Sequence, residues 1–239
     1  MNHIQQHPRT MTSVDFRAFV VAASAAMAMF CTMAPALSAT VDSGQRIATE
    51  GSPGGAPACT ACHGAAGQGQ AAAGFPRLAG MNAKYLVRQL AAFADGTRVN
   101  AVMGPVAKLL VSGERESVAT YYAGLSPQAE APVQTDANGP LQGATLAEHG
   151  DWGHALPACA QCHGPGGLGV GDNFPALAGQ PSAYLANQLH AWKLGTRKDD
   201  PMALMQGIAQ KLSDAQIAAT AGYYAALPVG AAPAPKGKP

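Results

Sequence analysis

The residues with the most distinctive chemistry are cysteine and histidine, in the runs Cys59-Thr60-Ala61-Cys62-His63 and Cys159-Ala160-Gln161-Cys162-His163. Two thiols in a Cys-x-x-Cys-His run reach the vinyl groups on one edge of a porphyrin and form thioethers, while the histidine is held beneath the iron. The pattern occurs twice, one hundred residues apart, and predicts two covalently attached haem c groups. Cys59, Cys62, Cys159 and Cys162 would bind them, with His63 and His163 as proximal iron ligands. Zinc or dithiol chemistry are the rival uses of such cysteine pairs. Zinc needs four ligands per site, and the first half offers only His63 beyond the N-terminal stretch. One shared four-cysteine site would leave both histidines without a role. A thioredoxin-like motif opens a helix beside β-strands, and no β-rich run flanks either motif.

A histidine-ligated iron has a sixth position to fill. The first half contains Met81 and Met103 as remaining donors, and the second contains Met202 and Met205. The repeat described below gives Met81 the partner Gln180, so Met81 is not a shared ligand. Met103 and Met205 each precede a leucine, Leu110 and Leu212, by seven residues. The segments from histidine to methionine, 40 and 42 residues, are long enough to wrap the haem edge and approach its far face. Met103 and Met205 are therefore the expected distal ligands, with Met202 as the fallback in the second half. The plainer role for these methionines is packing against the porphyrin. His149, His154 and His190 are rivals in the second half: the first two sit close before the haem motif, and His190 aligns with Ala91.

The elements that hold these residues are duplicated. Phe75-Pro76-Arg77-Leu78-Ala79-Gly80 aligns with Phe174-Pro175-Ala176-Leu177-Ala178-Gly179 at an offset of 99, as do Tyr85-Leu86 with Tyr184-Leu185 and Gly96-Thr97-Arg98 with Gly195-Thr196-Arg197. After a three-residue insertion, Tyr121-Tyr122 pairs with Tyr223-Tyr224. Apolar residues spaced by three and four predict helices over 82–94 and 182–194, capped by Asn82 or Ser182 and stopped by Gly96 or Gly195. Last helices are expected over 113–123 and 213–226, shorter ones near 43–49 and 145–150, and a loop around Pro201. Strand signals are nearly absent, so the fold class is all-α. Phe75 and Phe174 are read as pocket-shaping, the tyrosines and Trp192 as packing residues, and Arg98 and Arg197 as candidate partners of the haem propionates. Gly64 and Gly164 would let the backbone approach the porphyrin.

Residues 1–39 read as an export signal: Arg9 and Arg17 precede an apolar run over 18–33, then small residues with cleavage expected after Ala39. An uncleaved membrane anchor is the alternative, and Cys31 would leave with the leader. All four other cysteines then lie in the haem motifs, leaving none for a disulfide or a catalytic thiol. Export to the periplasm fits haem c, which is assembled outside the bacterial cytoplasm. The expected domains are 40–125 and 146–228, joined by a Pro-rich linker over 126–145 and followed by a tail over 229–239. Charge is balanced, with 15 Lys+Arg against 14 Asp+Glu, which gives no footprint for nucleic acid. Aromatics make up only 6% of residues, so two haems would supply much of the apolar bulk.

With the haem motifs, Phe-Pro-x-Leu-Ala-Gly, the Tyr…Gln-Leu helices and Lys211-Leu212-Ser213-Asp214…Tyr223-Tyr224, the chain resembles the cytochrome c4 family of dihaem class I cytochromes c. The resemblance runs from about Ser43 to Leu227. It implies two tandem class I cytochrome c domains with their haems close together, His/Met ligation, and electron transfer near the bacterial inner membrane toward a terminal oxidase. Lys108-Leu109-Leu110-Val111-Ser112 departs from the pattern and blurs the start of one helix. The expected function is thus a periplasmic dihaem electron carrier, not an enzyme. Its partners would be redox proteins (a terminal oxidase, a bc1-type complex or a periplasmic dehydrogenase), and peripheral association with the inner membrane is compatible with this. The alternative is an electron-accepting subunit of a periplasmic dehydrogenase, such as a flavin enzyme. A catalytic role in peroxide or thiosulfate chemistry would need a vacant or cysteine-ligated iron, for which no cysteine is spare.

Overall fold

The structure is a computed structural model that describes residues 34–128 and 139–230. Contacts divide the chain into Met1–Ala39 and Thr40–Pro239. Of the first unit only the helical residues 34–39 are described, so the apolar run, Arg9, Arg17 and Cys31 lie outside the described residues, as does the tail beyond 230.

Within Thr40–Pro239 the two halves repeat one helical plan. The first half carries α1 (Ala34–Glu50), α2 (Thr60–His63), α3 (Ala83–Asp95), α4 (Met103–Lys108) and α5 (Ser112–Gly124). The second carries α6 (Gly139–His149), α7 (Ala160–His163), α8 (Ser182–Lys193), α9 (Leu204–Lys211) and α10 (Asp214–Ala226). No β-strand forms among the described residues, only isolated bridges.

Each half is built on the crossing of its first and last helices. α1 buries Gly44, Ile47 and Ala48, and α6 buries Gly143, Leu146 and Ala147. A Cβ at Gly44 would lie 2.1 Å from the Ser117 carbonyl oxygen of α5, and one at Gly143 would lie 2.2 Å from that of Ala219 on α10. Only glycine lets these backbones touch. Both opening helices are longer than their sequence signal. α1 runs through the expected cleavage point at Ala39, and α6 begins inside the stretch expected to be linker. Each presents one narrow stripe to its partner, so hydrophobic periodicity emerges only in the later turns.

Capping explains the remaining boundaries. The Asn82 side chain accepts the Tyr85 amide at 3.0 Å, and Gly96 ends α3 in the left-handed region. At α8 the cap position is Pro181 rather than Ser182, and the helix stops at Lys193. Ser213 and Gln216 exchange backbone bonds at 3.2 and 2.8 Å in a reciprocal box that starts α10. The blurred start of α5 is settled by Glu114, which accepts the Val111 amide at 2.9 Å. Around Pro201 the chain makes the expected irregular turn, with Met202 and Ala203 at φ of +63° and +53°, and Met205 lies beyond it in the first turn of α9.

The halves meet about a local two-fold relation. The Val99 amide donates to the Thr196 carbonyl at 2.9 Å, and the Lys198 amide to that of Thr97 at 2.7 Å. This sets Arg98 opposite Arg197.

Candidate functional site

Two apolar cavities, one per half, each contain a complete haem motif. The first is lined by Cys59, Cys62, His63, Met103 and Tyr122, and the second by Cys159, Cys162, His163, Met205 and Tyr224. Both are open clefts, and with the solvent at their mouths included they span about 1580 and 1040 Å³ of space between protein atoms.

The one-turn helices α2 and α7 bring each histidine to the cavity wall directly after its cysteines. His63 Nδ1–H donates to the Pro76 carbonyl at 2.9 Å, and His163 Nδ1–H to that of Pro175 at 2.8 Å. These bonds leave Nε2 as the unprotonated nitrogen available to a metal. Burial pushes both imidazoles below their ordinary pKa, which favours the neutral form. Phe75 and Phe174 pack at 6.1 and 6.0 Å from the two imidazoles, as expected of pocket-shaping residues. The phenols of Tyr122 and Tyr224 lie beside the Cys59 and Cys159 thiols. In the turns after the motifs, Gly67 and Gly167 adopt φ of +68° and pass against the rings of Tyr122 and Tyr224.

The fit to haem c also rests on buried polar atoms at these cavities that the protein leaves unsatisfied. Arg77 Nε beside the first, and Trp192 Nε1 and Thr220 Oγ1 beside the second, have no hydrogen-bond partner among the described residues. Such atoms persist in cores when something other than protein completes them.

Of the four methionines considered, Met103 and Met205 line the first and second cavities respectively, while Met202 is 93% exposed and lines neither. Met81 is buried between the halves and accepts a hydrogen bond from Gln180 Nε2 at 3.4 Å. His149, His154 and His190 line neither cavity; His154 pairs with Asp151 at 2.8 Å.

The cavities share a wall. Met81, Tyr85, Gln180, Tyr184 and Gln188 line both. Behind it lies a buried polar network: Arg98 donates to Tyr184 and Gln188 of the other half, and Arg197 donates to Tyr85 at 3.3 Å and to Gln89 at 2.7 Å. Each guanidinium also covers an aromatic ring, Arg98 over Phe93 at 4.3 Å and Arg197 over Trp192 at 3.9 Å. Among the described residues only Arg197 of the two has a carboxylate on it, Asp199 at 2.8 Å.

Sequence reasoning missed several residues of the site. Asn100 Oδ1 accepts the Met103 amide at 2.8 Å, and Asp200 Oδ2 accepts that of Met205 at 2.6 Å, so both methionine backbones are held by a side chain just upstream. An Asn or Asp shortly before a helix is a recognisable capping signal. Gln180 and Arg77, which clasp the two halves, carry no comparable local signal.

Comparison with known proteins gives the same architecture. The cytochrome c family profile matches residues 41–129 and again 142–227. A thiosulfate dehydrogenase electron acceptor of Thiomonas intermedia is 50% identical over 73% of this chain and 80% of its own length. The crystal structure of reduced cytochrome c4 from Pseudomonas stutzeri superposes with a TM-score of 0.68 at 32% identity, covering 78% of this chain and 98% of that one. A thiosulfate dehydrogenase from Marichromatium purpuratum gives a TM-score of 0.75 at 43% identity over 81% of this chain. This chain spans 41% of the length of that protein. Two covalent haem c groups, an all-α fold of two cytochrome c domains and electron transfer in place of catalysis follow for this protein. With its two haem-binding halves, the chain belongs to the cytochrome c family as a cytochrome c4-like dihaem electron carrier.

Proposed function

We propose that this protein is the periplasmic electron acceptor of a thiosulfate-oxidising dehydrogenase and passes the electrons on toward a respiratory oxidase. The observation that carries the reading is the pairing of two haem cavities across one shared wall, in a chain half identical to an electron acceptor of that kind. Oxidation of a sulfur anion to a closed-shell product releases electrons in pairs. Two one-electron centres in one chain take up such a pair. The haem irons supply the Fe(III)/Fe(II) couple, and the protein supplies ligands that change little between the two states.

In this reading His63 with Met103, and His163 with Met205, would hold the two haem irons. Asn100 and Asp200 hold the methionine backbones, and residues 1–39 direct export before the domains at 40–125 and 146–228 fold around their haems. Support for Met205 over Met202 comes from their places, one in the cavity wall and the other in solvent. Among the described residues no helix is long and apolar enough to cross a membrane.

The test mixes purified holoprotein with thiosulfate, with and without a thiosulfate dehydrogenase. Haem reduction that requires the enzyme and reaches two electrons per chain is expected; failure of the enzyme to reduce the protein would overturn the assignment. Met103→Ala and Met205→Ala should each abolish half of the sulfur-to-iron charge-transfer absorption, and Met202→Ala should abolish none.

A further inference from the structure

The two halves repeat each other closely, yet they differ in buried charge beside the haem cavities. Arg77 lines the first cavity and not the second, and it is only 2% exposed. Its guanidinium donates to two backbone carbonyls, those of Ala79 and Ala178, the latter at 3.0 Å, and makes no ion pair with any described residue. Nε has no hydrogen-bond partner among the described residues. The residue is locked in place from the other half: Gln180 Oε1 accepts the Arg77 amide at 3.0 Å, and Gln180 Nε2 donates to the Arg77 carbonyl at 2.9 Å. At the corresponding position beside the second cavity stands Ala176. Arg98 also lines the first cavity and Arg197 the second, and among the described residues only Arg197 of these two is paired with a carboxylate, Asp199.

We propose that Arg77 is a tuning residue that raises the reduction potential of the first haem, so that neutralising it moves the single electron of the half-reduced protein away from the first domain. The physical basis is Coulombic. Reduction lowers the charge of a haem by one, and a fixed cation in a medium of low dielectric stabilises that lower charge. Water, which screens exposed arginines, does not reach this one. The sign is the same whether the guanidinium charge stands alone or offsets a porphyrin carboxylate, because either way the first site holds one positive charge more than a neutral residue would leave it. The shared wall of Tyr85, Gln180, Tyr184 and Gln188 is the boundary across which the bias acts.

The inference rests on two low-spin haems in one chain, and the experiment separates its failure from failure of that premise. Full-length holoprotein is titrated potentiometrically while the two haems are followed by proton magnetic resonance. The second haem is recognised by contacts to Trp192 and the first by contacts to Phe93. Arg77→Gln should shift the distribution of the electron at least about tenfold away from the first haem, equivalent to about 59 mV for a one-electron couple. Arg77→Met removes the charge while filling the space and should do the same even if the glutamine variant folds poorly. Arg77→Lys should keep the wild-type distribution. Neutral variants that retain two low-spin haems and leave the distribution unchanged, or that shift both haems equally, would overturn the proposal. Loss of a low-spin spectrum in the unmodified protein would count against the ligand assignment instead.

Discussion

Removing the Asp199 carboxylate tests the interface between the halves most directly. Arg197 and Asp199 are both almost fully buried, with side-chain exposures of 3% and 8% at a separation of 2.8 Å, so solvent screening is slight. Asp199→Ala strips the acceptor from Arg197 Nε and the counter-charge from the guanidinium, leaving the neutral oxygens of Gln188, Gln89 and Tyr85. Breaking a buried pair by deleting one partner costs about 3–5 kcal/mol. Asp199→Asn keeps an acceptor and loses only the charge, so it should cost roughly half as much, near the value of a single hydrogen bond to a charged group. The assay is guanidinium unfolding of the holoprotein, with stability read from midpoints at unchanged slope. The pH dependence has a definite sign. Burial pushes the Asp199 carboxyl up, but Arg197 more than offsets this and holds it below the ordinary carboxylate range. The pair therefore contributes fully above the unfolded carboxylate pKa of about 3.9 and is lost as acid carries the pH through the lower folded value. The difference between wild type and Asp199→Asn should shrink in step. If Asp199→Ala costs less than about 1 kcal/mol, the worth of an exposed pair, another anion carries the Arg197 charge and the reasoning fails.

Two further outcomes follow from local geometry. Gly67→Ala places a Cβ 2.8 Å from two ring carbons of Tyr122 at a φ of +68°. It should cost about 1–2 kcal/mol for the left-handed backbone plus about 1–3 kcal/mol for the clash. Gly171→Ala, at φ +55° with no atom within 4 Å, should show the backbone cost alone, with both read from unfolding midpoints. Asn100→Ala removes the acceptor of the Met103 amide and should destabilise by about 0.5–2 kcal/mol. Only the first haem's charge-transfer absorption should become more easily lost on warming.

Much of the fold is legible because haem attachment and helix capping are local. The spacing of Cys59, Cys62 and His63 carries its own chemistry, and Asn82, Gly96, Ser213 and Gln216 mark helix ends at short range. α1 and α6 were harder to read because their buried faces are a glycine, one large aliphatic residue and an alanine, a stripe too narrow to produce a clear period. The turn expected around Pro201 forms over residues 201–203 but closes before Met205, because the Asp200 carboxylate accepts the amides of Met205 and Gln206 and starts α9.

By itself the sequence determined that two haems are attached, that the halves are homologous and that four methionines, with His149, His154 and His190 as rivals in the second half, were the donors to consider. The tertiary structure decided which of them line cavities, with Met205 in the wall and Met202 in solvent. It also decided the shared wall, the crossed Arg98 and Arg197 contacts and the Gln180 clasp on Arg77. These depend on residues up to 112 positions apart, whose meeting is set by the packing of whole helices and leaves no period or spacing in the chain. For the same reason the exchange of Arg77 for Ala176 between the two haem sites reads in the sequence as an ordinary surface substitution and in the structure as a buried cation.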